Sequence, residues 1–181
     1  MRIVSGKHKG RVLKSFKGDD VRPTADRAKE ALFNILGSKV YNAEFLDMFS
    51  GTGSIGIEGI SRGAKRVTFV DSARESVNIL KQNLSLINET AVIENINSQT
   101  FLNKTLNSYD IIFFDPPYNY RDANELLKII KNRNLLKENG IIIYEHKNDY
   151  NFETDIFEIY DWKMAFEGTP WHARSKVSKL G

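Results

Sequence analysis

Five short apolar runs, EFLDMF, RVTFVD, AVIENI, YDIIFFD and GIIIYEH, punctuate the chain from residue 43 onward, with segments of helix length between them. Strands that alternate with helices pair in parallel, and a parallel sheet needs apolar cover on both faces. The intervening segments can supply it. In SARESVNILKQNLSLI, Val77, Leu80, Leu84 and Ile87 share one helical face, and in RDANELLKIIKNRNLL, Leu126, Leu127 and Ile130 do the same. The pattern predicts an α/β fold over residues 41–181: a mostly parallel, doubly wound, Rossmann-like sheet.

Residues 1–40 read differently. Arg2–Val4 and Arg11–Ser15 flank the turn-forming GKHKG and predict a hairpin. In VRPTADRAKEALFNIL, Pro23 cannot continue a preceding helix, Thr24 is a candidate N-cap, and Ala28, Ala31, Leu32, Ile35 and Leu36 form an apolar face. Met1 to Lys39 holds ten Lys/Arg against four Asp/Glu, whereas the remainder holds sixteen against nineteen. A basic front on a mildly acidic body suits an electrostatic arm aimed at phosphate, and equally a solvated charged surface. Lys7, His8, Lys9, Arg11 and Arg22 are the candidate nucleic-acid contacts of this extension.

Several function classes drop out. With no cysteine there are no disulfides, thiolate zinc sites or thiol nucleophiles. His8, His146 and His172 lack metal-ligand spacing, so no metal is expected. No run approaches the ~20 apolar residues that span a bilayer. The start MRIVSGKHKGRVLK has no apolar block behind its charges. A cytoplasmic, monomeric enzyme is the expectation.

In FLDMFSGTGSIGIEGISRGA, Gly51, Gly53 and Gly56 join the first strand to a helix. Such glycines permit a tight turn and let backbone N–H groups approach a ligand at a helix N-terminus. The spacing also matches a dinucleotide fingerprint, which keeps nicotinamide cofactors as a rival. Asp47, four residues before Gly51, would repel a pyrophosphate but attract a methionine ammonium. Asp71, 20 residues after Gly51, could accept both ribose hydroxyls of either ligand. Asp71 suits either ligand, and Asp47 favours S-adenosylmethionine.

YDIIFFDPPY delivers Asp115 to a strand's carboxyl end, where ligands bind in open α/β sheets. The prolines fix the backbone and remove two donors, leaving the Asp115 carboxylate and the Pro116 carbonyl as acceptors. An exocyclic amine, with two N–H donors, needs such a pair. Tyr118 offers a stacking face worth roughly 1–3 kcal/mol to a base, and Tyr120 is read as uninvolved.

These strings resemble a class I methyltransferase, and in particular the RsmD-like family that methylates guanine N2 in 16S ribosomal RNA. RIVSGKHKGRVL, RPTADRAKEALFNIL, LDMFSGTGSIGIEGISRGA, FVDSARESV and FFDPPY carry the resemblance. It implies that Gly51 and Gly53 hold the methionine part of the cofactor near Asp47, that Asp71 binds the ribose, and that the strand end at Asn97, Ser98 and Gln99 borders the adenine. It implies that Asp115, Pro116 and Tyr118 hold the target guanine, and that Thr24, Arg27 and Arg22 line the cofactor or substrate side. Its expected partner is 16S ribosomal RNA or a small-subunit assembly particle.

The tail departs from this pattern. WKMAFEGTPWHARSKVSKLG has little alternation after Gly168, and Pro170 cannot donate within a central strand, which predicts an irregular segment over the last ~15 residues. Adenine N6, a protein amide, or a non-catalytic RNA-binding module remain alternatives to guanine N2.

Overall fold

The computed structural model describes residues 1–16, 23–117, 119–145 and 173–177. Helix α1 (Pro23–Leu36) and a 3-10 turn (Gly37–Val40) lead into β1 (Glu44–Met48), α2 (Ser54–Ser61), β2 (Arg66–Val70), α3 (Arg74–Leu86), β3 (Val92–Glu94), α4 (Ser98–Lys104), β4 (Tyr109–Phe114), α5 (Ala123–Asn132), β5 (Leu136–Glu145) and β6 (Ala173–Val177). The six strands lie in the order β3-β2-β1-β4-β5-β6. The first five are parallel, and β6 runs antiparallel to β5. The order reverses between β1 and β4, so a crevice opens at their carboxyl ends.

Strand alternation divides the core. Phe45, Phe69, Ile111, Phe113, Ile141 and Ile143 pack with Leu32, Phe33, Ile57 and Leu80 of α1–α3. Leu46, Met48, Ile112, Phe114, Ile142 and Tyr144 pack with Phe101, Leu102, Leu126 and Ile130 of α4 and α5. Each such side chain, fully buried, contributes about 1.5–3 kcal/mol.

Four local expectations are corrected. Pro23 already occupies the first position of α1, so Thr24 lies inside the helix and is not its N-cap. β3 is only Val92–Glu94, and what looked like a strand end at Asn97–Gln99 opens a helix. There the Asn97 carboxamide accepts from the N–H groups of Gln99 (2.9 Å) and Thr100 (3.3 Å). Asn134, at φ 52°, ends the α5 segment, and β5 starts at Leu136, ahead of the GIIIYEH run. The tail is not irregular throughout: Ala173–Val177 pairs along Ile141–Glu145. As an edge strand β6 escapes the restriction on central strands, and Pro170 precedes it. The GTPWH string lies outside the described residues.

The N-terminal hairpin makes one isolated bridge, Arg2 to Val12, and docks on α2. The fully buried Glu58 carboxylate accepts from the N–H groups of Val4 and Ser5, both at 2.9 Å, and from Arg62 Nε at 2.8 Å. Lys29 Nζ of α1 lies 3.6 Å from the same carboxylate. Burial lowers the Lys29 pKa, and the Glu58 and Asp26 charges oppose that shift. Ile3, Leu13 and Phe33 belong to the same core as Phe45 and Ile57. No helix of the described residues is long and apolar enough to cross a membrane.

Candidate functional site

β1 ends in a turn built on unusual backbone. Phe49, Gly51 and Gly53 have φ of 58°, 53° and 88°. A non-glycine residue held in the left-handed region costs about 1–3 kcal/mol and tends to mark a functional turn. A side chain on Gly51 would meet nothing within 4 Å, so this glycine faces open space. Gly53 and Gly56 face inward: a Cβ would lie 2.3 Å from Leu80 Cδ1 and 2.3 Å from Phe69 Cε1, respectively. Of the three glycines, Gly51 leaves room for a ligand, while the other two let α2 sit close to β2 and α3.

Two carboxylates pin this turn. Asp47 is 1% exposed and accepts from Gly56 N–H at 2.8 Å, in the first turn of α2. Asp71 follows β2 and accepts from Gly51 N–H at 2.7 Å and Ala73 N–H at 2.8 Å. Ser50, between them in the turn, buries a hydroxyl with no hydrogen-bond partner among the described residues. The Tyr120 ring meets Phe49 edge-on at 5.1 Å, which brings a residue read as uninvolved to the glycine turn.

The sheet gathers more acid at the same edge. Asp47 stands two residues past Phe45, Asp115 two past Phe113, and Glu145 two past Ile143, so alternation aims all three toward the α1–α3 face. Burial, reinforced by the charges of Asp115 and Asp71, pushes Asp47 up to about 8 against the bond from Gly56. Burial and the neighbouring Asp115 push Glu145 up to about 9. Asp115 is the most solvent-open of the three, and the protein around its carboxyl raises it least, to about 6. An edge that disfavours three anions is poised for a cationic ligand.

A carboxyl raised by folding binds more protons in the folded than in the unfolded chain. Its stabilising contribution is therefore full below the ordinary carboxylate range and declines as pH rises toward its folded value. The ligand-free protein is expected to lose thermal stability between pH 5 and pH 9. Glu145→Gln should flatten that decline in a melting series, and parallel slopes for both proteins would refute it.

The other anticipated residues are distributed as follows. Pro116 is buried behind Asp115, Ser98 is buried in the first turn of α4, and Gln99 is exposed there. Thr24 lies in the first turn of α1, and Tyr118 and Arg22 lie outside the described residues. Arg27 is exposed and lines a cleft against the hairpin. Lys7, which is exposed, and His8, which is half-buried, both pair with Glu89, at 2.5 and 2.7 Å. Burial would raise Glu89, but its bonds to Lys7 and His8 hold it below the usual range. Lys9 and Arg11 are exposed. In the sequence Glu145 reads either as a cofactor-side acid or as a polar strand end, and nothing there singles out Ser50, Glu58 or Lys29. The available signal for Glu145 was an acid closing the run IIIY, level with the acid that closes IIFF. Among the described residues no group of three His, Asp or Glu is placed to hold a metal ion.

The reversed strand order, the glycine turn beside β1 and the Asp-Pro-Pro corner after β4 define the fold of class I methyltransferases. The chain belongs to the family described as conserved hypothetical protein 95, whose model matches residues 1–169. It is 38% identical over 154 residues to the ribosomal RNA small subunit methyltransferase D of Haemophilus influenzae, covering 82% of this chain and 80% of that one. The protein of the same name from Escherichia coli K12 is 30% identical over 155 residues, covering 85% and 78%. The solved structure of Escherichia coli yhhF gives a TM-score of 0.86 at 27% identity, covering 100% and 99%. The 16S rRNA N2 G1207 methyltransferase of Thermus thermophilus, solved with AdoMet and guanosine, gives 0.70 at 20% identity, covering 91% and 45%, a likeness of fold.

Proposed function

We propose that this enzyme transfers a methyl group from S-adenosylmethionine to the exocyclic N2 of a guanine in small-subunit ribosomal RNA. The strongest support is the adjacency of two corners. The Asp115–Pro116 acceptors leave β4 directly beside β1, whose glycine turn and buried Asp47 form the neighbouring end of the sheet. The relatives named as small-subunit ribosomal RNA methyltransferases support the choice of RNA.

The residues present fit this cofactor. It carries an ammonium and a sulfonium, and the edge offers crowded carboxyls, an unpartnered Ser50 hydroxyl and the open face of Gly51. When bound, it supplies an electrophilic methyl group. Asp47 would face the ammonium. Asp71 would accept the ribose hydroxyls, because a carboxylate has about four lone-pair sites and the two N–H bonds it accepts here leave some free. Asn97, Ser98 and Gln99 would border the adenine.

On the substrate side, Asp115 and the Pro116 carbonyl would accept the two amine hydrogens and aim the nitrogen lone pair, with Tyr118 under the base. Alignment of this kind supplies much of the rate, and the proton can leave after transfer, so no strong base is needed. Residues 1–40 would face RNA and residues 41–181 would catalyse, in a cytoplasmic monomer without metal.

Incubation with methyl-labelled cofactor and unmodified small ribosomal subunits, followed by nucleoside analysis, is expected to place label in N2-methylguanosine. Label in N6-methyladenosine would overturn the guanine assignment and keep the enzyme.

A further inference from the structure

Charge on the N-terminal segment is not spread evenly once folded. Lys7 and His8 are paired with Glu89, Lys14 Nζ reaches Gln82 at 2.7 Å, and Lys29 is buried against Glu58. Each of those cations already has a partner within the molecule. Arg2, Lys9 and Arg27 instead converge on one cleft of about 480 Å³ between the hairpin and the first turn of α1. Ile3, Val4, Gly10, Asp26 and Glu30 complete its lining.

The floor of this cleft has an unusual feature. Asp26 is 7% exposed, and its Oδ2 is buried with no hydrogen-bond donor among the described residues. Arg2 lies 3.5 Å from that oxygen as an ion pair only, while Oδ1 takes the Arg2 N–H at 3.4 Å. A buried acceptor without a donor costs about 1–3 kcal/mol, so a ligand that brings an O–H or N–H recovers energy there. The rim carries three cations beside one exposed acid, Glu30, the floor is an acceptor, and the volume falls within the usual range for a small-ligand site. A nucleotide offers both complements, a phosphate for the rim and a hydroxyl or amino donor for the floor.

Location adds to this. The cleft includes Asp26, in the first turn of α1, and Arg27 beside it. Lys29, one turn further along α1, reaches Ser54 Oγ at the start of α2 at 3.2 Å.

We propose that this cleft is a nucleotide subsite for an RNA residue flanking the target base, with Lys9 and Arg27 on its phosphate and Asp26 accepting a hydrogen bond from the same residue. The proposal rests on the ribosomal RNA reading above and deepens it. It centres the RNA contact of the hairpin on Lys9, and it makes Arg27 an RNA contact in place of a cofactor contact.

Binding of a protein-free 16S ribosomal RNA transcript, titrated against salt, tests it. Each lost phosphate contact should reduce the slope of log affinity against log salt by about 1, so the double variant K9A/R27A should lose about 2. The charge-matched control K39A/K65A, at the opposite end of α1 and the start of β2, should keep the wild-type slope. Asp26→Asn should weaken binding although it makes the protein more positive, and tighter binding would refute the acceptor role. An unchanged slope in K9A/R27A, or an equal loss in the control, would overturn the subsite. A wild-type protein that fails to bind the transcript would overturn the ribosomal RNA reading itself.

Discussion

Asp115→Ala is expected to lower kcat by about 10²–10³-fold, the usual effect of removing one group aimed at the reacting centre. Cofactor affinity should stay close to wild type, because the turn that would hold the cofactor is pinned by Asp47 and Asp71 without help from Asp115. The rate of the wild-type enzyme should rise with pH through about 6, as the raised Asp115 carboxyl ionises and becomes acceptor-only. In Asp115→Asn that rise should vanish. Single-turnover methylation of small subunits, measured beside cofactor titration, separates the two functions. Undiminished turnover in Asp115→Ala would remove the residue from the mechanism.

The largest effect on stability is expected from Glu58→Ala. This substitution strips the partner from the Lys29 ammonium, which is 4% exposed, and leaves the N–H groups of Val4 and Ser5 without their acceptor. Breaking a buried pair by removing one member costs about 3–5 kcal/mol. Denaturant unfolding should show the loss, and Lys29→Met in the same background should restore part of it by withdrawing the orphaned charge. If Glu58→Ala unfolds at the wild-type midpoint, the hairpin is not held in the way its hydrogen bonds indicate.

Parts of this architecture are legible in the residues alone because they rest on local rules. Alternation of apolar runs with amphipathic segments gives the parallel sheet; the positions of Asp47 and Asp115 follow from strand ends marked by glycine or proline, and that of Asp71 from the acid that closes RVTFVD 20 residues after Gly51. What escaped depends on contacts across the chain. Glu58 reads as one polar residue in a helix, and only the docked hairpin 53 or 54 residues away shows why it is buried. Lys7 and His8 read as unpaired cations of a basic turn because Glu89, their partner, is 82 and 81 residues distant. Asn97 carries a legible signal: an Asn before three polar residues and an apolar Phe101 marks a helix start, but the run AVIENI ahead of it suggests a longer strand. β6 was missed because an edge strand need not alternate in the way a central one does.

That last strand has a bearing on which edge the sheet presents to other molecules. The segment IIIY of β5 is apolar, uncharged and free of proline, the composition that drives strands of separate molecules to stack into fibrils. Pairing with Ala173–Val177 closes its outer ladder. The strand that replaces it at the rim carries Arg174 and Lys176, and charged edge strands discourage sheets from growing sideward. The end of the chain thus shields the segment most able to aggregate, in the same stroke that completes the sheet beside Glu145.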